Sequence, residues 1–148
     1  MNLMLYIFYH ISKAFGNKQI AAQTPLSQAQ NWVYLHDHEF DENTSTFTTS
    51  DTRHVDAAYE YVFNTLAMIS TENMVSTETP KAGQKSYIVL PNFVPASATS
   101  FDMFAEQVSQ ILHTIPGMAQ KLTISTFHPE HVNAASTSPV PIFVVTWK

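Results

Sequence analysis

Ser86-Tyr87-Ile88-Val89-Leu90, closed by Pro91, sets the frame for the whole chain. Neighbouring side chains on a strand point to opposite faces. Tyr87 through Leu90 are all apolar or aromatic, so neither face of this segment is suited to water. A continuous apolar run of this length reads as a strand buried on both sides, the habit of sheets covered by helices. Proline ends it, because it cannot donate to the ladder.

Working outward, the flanks supply the helices. Val55, Ala58, Tyr59, Val62, Leu66 and Ile69 recur at steps of three and four, which predicts an amphipathic helix over about 54–70. Asp51 or Thr52 offers its N-cap, and Asp56 and Glu60 suit its first turns, where the helix dipole favours negative charge. Downstream, Thr99 or Ser100 caps a second helix over about 100–114, with Phe101, Phe104, Val108, Ile111 and Leu112 as its inner stripe. Pro116-Gly117 stops it. Residues 121–127 then alternate, Leu122 and Ile124 one way, Thr123 and Ser125 the other. A last strand over 141–147 begins at Pro141, where a missing N–H costs least. Asn31 to His36 is rich in strand formers and reads as a further short strand. Strands alternating with helices imply right-handed βαβ crossovers. The expected fold is therefore α/β, with α+β as the alternative. It is a two-layer sandwich whose two helices pack on a small mixed sheet with strands about 86–90, 121–127 and 141–147.

At 148 residues the chain fits a single domain, with a core that needs no staples. Residues 1–53 are weakly patterned. Within them, 37–51 is acidic and then rich in Ser and Thr, which reads as a mobile loop, and 73–85, with Pro80 and Gly83, reads as a linker. The apolar run Leu3 to Tyr9 is too short to span a bilayer, which takes about 20 residues. It also lacks the preceding positive charge of a secretory leader, since Lys13 follows it. It reads as a buried strand or helix turn, or as a truncated or wrongly assigned start.

Charged residues make up 13% of the chain, about half the usual share, while ten Phe, six Tyr and two Trp supply a core. The formal charge of -5, with no basic run, argues against nucleic acid. The absence of cysteine excludes disulfides, thiolate catalysis and Cys-zinc sites. The three glycines, Gly16, Gly83 and Gly117, cannot build a phosphate loop, and no Gly-x-Ser-x-Gly elbow exists. The expectation is a soluble intracellular protein, in the cytoplasm or an organelle, whose partner is a small molecule. No cofactor or oligomeric state is legible.

The chemistry concentrates in the last quarter. His128-Pro129 lies at the carboxyl end of a strand, where α/β sheets place ligands, and imidazole suits acid–base work. Ser125, Thr126 and Ser138 are hydroxyls that could partner it. The expected site is catalytic at His128, Ser125 and Ser138, with Pro129, His131 and Pro139 binding. The competing reading has the His128 imidazole simply bonding the backbone of its turn. His36 and His38 would point the same way on a strand, and with His128 and His131 they are the candidate metal ligands. Solvated surface is the simpler explanation of that pair. Asp102 and Glu106 read as a solvated helix start.

Four segments in order, Tyr87 to Pro91, Phe101 to Phe104, Ile124 to Pro129 and Ser138 to Pro141, resemble domain-of-unknown-function family 1415 over residues 55–147. That resemblance implies an α/β domain whose biochemical role is unassigned. The family opens with a Leu-Cys-Pro-Phe-Ala box and carries Arg before its Ser-Pro-aromatic-Pro segment. This chain has no cysteine, and Thr137 precedes Ser138. The resemblance therefore leaves three readings: a small-molecule-binding or enzymatic domain centred on His128, a degenerate non-catalytic member acting as a structural or interaction domain, and a His-rich metal-binding protein.

Overall fold

The computed structural model describes residues 22–75 and 82–148. The Leu3 to Tyr9 run and residues 76–81 of the expected 73–85 linker lie outside them. Three helices, α1 (Pro25–His36), α2 (Val55–Val75) and α3 (Ala98–His113), accompany four strands, β1 (Ser45–Thr49), β2 (Lys85–Val89), β3 (Leu122–Phe127) and β4 (Ile142–Trp147). The strands form one mixed sheet in the order β1-β2-β4-β3. β1 and β2 are parallel and β4 runs antiparallel to both β2 and β3. The mixed α/β architecture expected from the sequence is present.

All five residues of β2 are buried, as its unbroken apolar run requires. Alternation along β2 and β4 divides the core in two. Ile88, Phe143, Val145 and Trp147 face α2 and α3, where they pack with Ala58, Val62, Leu66, Phe101, Phe104, Val108 and Leu112. Tyr87, Val89, Ile142 and Val144 face the other way, onto Ala29 and Val33 of α1. The two predicted helices thus form one layer on the sheet, and α1 covers the far side. In β3, Leu122 is buried toward the helices and Ile124 packs beside it, while Thr123 and Ser125 are exposed, as the alternation predicts.

Two expectations in the first third are corrected. Residues 31–36 are not a strand but the end of α1. Thr24 caps that helix, its Oγ1 accepting from the Ser27 N–H at 3.2 Å, and Pro25 occupies its first turn, where a proline is tolerated. The 37–51 segment is not all loop, because Ser45–Thr49 forms β1. Phe47 supplies its anchor, stacked on Tyr87 with ring centroids 4.7 Å apart. α3 is capped by Ser97 rather than Thr99 or Ser100, through a 3.2 Å bond from the Ser100 N–H. No helix among the described residues is long and apolar enough to cross a membrane.

Candidate functional site

β3 delivers the chain to His128, and residues 128–141 then fold back before entering β4. His128 is fully buried. The Glu130 N–H donates to Nδ1 at 3.1 Å, so the ring proton sits on Nε2 and is given to the Val94 carbonyl at 3.0 Å. Its ring packs against Phe101, with centroids 5.4 Å apart. Val94 has φ +41, a left-handed conformation unfavourable for a β-branched residue. The carbonyl of that strained residue also accepts from the Ser97 N–H at 3.1 Å, beside the α3 N-terminus.

The three residues expected to be catalytic, His128, Ser125 and Ser138, sit in different settings. His128 bonds the backbone of two turns with both nitrogens, which leaves neither for a substrate. Ser125 pairs with Val144 in the register, on the face opposite the α2–α3 layer. The Ser138 hydroxyl is buried and donates to the Val140 carbonyl at 2.6 Å. Pro129 is half-buried in the turn and Pro139 is exposed. The metal candidates fare similarly. His36 lies at the end of α1, stacked on Trp32, its Nδ1 donating to the Trp32 carbonyl at 2.9 Å, and His38 is exposed beyond the helix. Among the described residues no group of three or more His, Asp or Glu is arranged to hold a metal ion.

The structure instead joins His131 to Asp102. His131 Nε2 lies 3.0 and 3.1 Å from the two Asp102 carboxylate oxygens, and Nδ1 lies 3.1 Å from the Ser136 carbonyl. Both ring nitrogens thus face internal oxygens. Thr126 Oγ1 donates to Asp102 Oδ1 at 2.6 Å. Helix α3, strand β3 and the 128–141 connection therefore meet at one carboxylate. Two shallow recesses flank it. One, of about 330 Å³, runs between α3 and β3 and is lined by Asp102, Ala105, Glu106, Ser109, Ile124, Ser125 and Thr126. The other, of about 490 Å³, lies between the start of α3 and the turn at Glu130 to Asn133.

A second polar cluster sits beneath α1. Asp37, the C-cap of that helix, receives Lys85 Nζ at 3.0 and 3.2 Å, the Tyr87 hydroxyl at 2.7 Å and the Glu39 N–H at 3.0 Å. Burial opposes the charge on Asp37, but the bonds from Tyr87, Lys85 and Glu39 outweigh it and lower its pKa. Burial first, then the Asp37 hydrogen bond and charge, push the Tyr87 phenol up. Lys85 also meets the exposed Glu39 carboxylate at 3.0 Å. Through Asp37, which takes bonds from both Lys85 and Tyr87, this cluster pins α1 to β2.

The roles of Asp102, Lys85 and Tyr87 had no local signal. Asp102 lies 24 residues from Thr126 and 29 from His131, and Asp37 lies 48 from Lys85. No family model, curated protein or solved structure matches the chain.

Proposed function

We propose that the chain is a binding domain whose ligand face is the recess between α3 and β3, and that His128 and His131 are scaffold rather than acid–base catalysts. The observation that carries this is the full engagement of both imidazoles. A general base needs a nitrogen within reach of a substrate proton. His128 gives both of its nitrogens to backbone groups, and His131 directs both of its own at internal oxygens. What stays open beside them is the recess, with the exposed Glu106 carboxylate on one wall and Ile124 on the other. The resemblance to domain-of-unknown-function family 1415 belongs to this reading, because the Ser-Thr-Phe-His-Pro segment builds the turn that carries His131.

A thermal-shift screen with metabolites and short peptides tests it, since a ligand that binds only the folded state raises the melting temperature. Ligands that stabilise the wild type are expected to lose their effect on Ser109→Phe, which fills the recess. A shift that survives this substitution places the site elsewhere and overturns the proposal.

A further inference from the structure

The β3 strand is an edge of the sheet, and its outward backbone groups can be identified. Lys148 N–H donates to the Lys121 carbonyl at 2.8 Å, while Trp147 N–H turns the other way to Gln84 at 2.9 Å. Hydrogen-bonded and non-bonded pairs alternate along an antiparallel ladder. In this register Thr123, Ser125 and Phe127 therefore bond to β4, and Leu122, Ile124 and Thr126 turn their N–H and C=O groups outward. The Leu122 N–H is taken by the Met118 carbonyl at 3.1 Å. The next outward N–H, that of His128, is taken by the Ser136 carbonyl at 3.1 Å. Between these two, the backbone groups of Ile124 and Thr126 have no partner among the described residues. The opposite edge of the sheet differs, since at β1 the Tyr61 hydroxyl covers the Thr49 carbonyl at 2.8 Å.

An uncovered edge strand is a template for another strand, and natural sheets commonly protect it with charge, proline or a bulge. Between Leu122 and Phe127 there is neither a charged residue nor a proline. Helix α3 overhangs the same edge and makes the recess into a slot. One turn of α3 from Asp102 to Glu106 rises about 6 Å, close to the roughly 6.6 Å between alternate residues of a strand. A strand laid beside β3 would thus present alternate side chains to these two carboxylates. Asp102 is already engaged by His131 and Thr126. Among the described residues Glu106 meets only Gln110 Nε2, at 3.4 Å, and no Lys or Arg lines the slot.

We propose that this slot binds an extended peptide segment by strand addition to β3, with a lysine or arginine of the segment facing Glu106. This rests on the α3–β3 recess being the ligand face. Main-chain bonds to Ile124 and Thr126 supply affinity, and the basic side chain supplies selectivity.

The test titrates the full chain with a short blocked, fluorescent peptide of alternating valine and lysine. Controls are the same peptide with glutamate for lysine, and one N-methylated on the edge that faces β3. Anisotropy is expected to show binding of the lysine peptide that weakens about tenfold on N-methylation, on the glutamate exchange and on Glu106→Lys. Hydrogen exchange at the Ile124 and Thr126 amides is expected to slow in the complex. Glu106 is exposed, so an unchanged melting temperature of Glu106→Lys verifies its fold. No binding, equal binding of the N-methylated or glutamate peptides, or unaltered exchange at both amides overturns the proposal. So does a concentration-dependent dimer protecting those amides, which would make a second copy the occupant. If the peptides fail while small molecules still lose their thermal shift on Ser109→Phe, strand addition falls and the recess remains the ligand face.

Discussion

Asp37 and His128 are polar side chains held away from solvent, each by several hydrogen bonds. Asp37→Ala strands the buried Lys85 ammonium with only the exposed Glu39 carboxylate. Breaking a buried pair in this way is expected to destabilise the protein by about 3 kcal/mol in urea unfolding. The dependence on pH has a defined sign. The folded-state pKa of Asp37 lies below the ordinary value of 3.8. Its contribution is therefore complete above that value and is lost as pH falls through the folded pKa. Tyr87 is raised above the ordinary 10.0, so its contribution is complete below that value and is lost as pH climbs past it. The stability gap between wild type and Asp37→Ala is expected to be flat through neutral pH and to narrow below 3.8. His128→Phe keeps an aromatic ring against Phe101 but deprives the Val94 carbonyl and the Glu130 N–H of a partner. It is expected to cost about 2 kcal/mol, and His128→Gln, which can still donate and accept, is expected to restore part of the loss.

The elements divide by how strongly their neighbours shape them. β2 and β4 were legible from their unbroken apolar runs, β3 from its alternation, and α2 and α3 from apolar steps of three and four, all patterns that the core uses directly. Some stripe members nonetheless stay out of it: Val55 and Ile111 are 47% and 42% exposed. α1 was misread because Trp32-Val33-Tyr34-Leu35 looks strand-like, yet only Ala29 and Val33, one helical turn apart, are buried. The Thr24-Pro25 start was the usable signal. β1 was hidden because Phe47 is its single apolar residue and its pairing partner lies about 40 positions away in β2. The Asp102–His131 link is likewise invisible in sequence. It ties the 128–141 connection to α3 through a half-exposed carboxylate, and solvent screens such a pair. Asp102→Asn is expected to lower global stability by no more than about 1 kcal/mol. Amide exchange is expected to accelerate selectively over residues 130–137, while the core strands stay protected. Uniform acceleration would show that the link supports the whole fold.

At the scale of the molecule, one sheet serves two cores, and its central strands β2 and β4 belong to both. Phe143 sits where β4 meets α3, with its ring centroid 5.9 Å from that of Phe104. Phe143→Ala is expected to cost about 3–5 kcal/mol, a large share of the roughly 5–15 kcal/mol that holds a domain together. The same layering concentrates open polar surface at the β3 edge, since β2 and β4 are covered on both faces. The most direct test is an amide chemical-shift map of the ¹⁵N-labelled protein with the peptides and metabolites that raise its melting temperature. A working face between α3 and β3 predicts that perturbations concentrate in residues 102–109 and 122–127, with the His128 imidazole signals unchanged. Perturbations centred on the His128 ring, or on the outer face of α1, would contradict it.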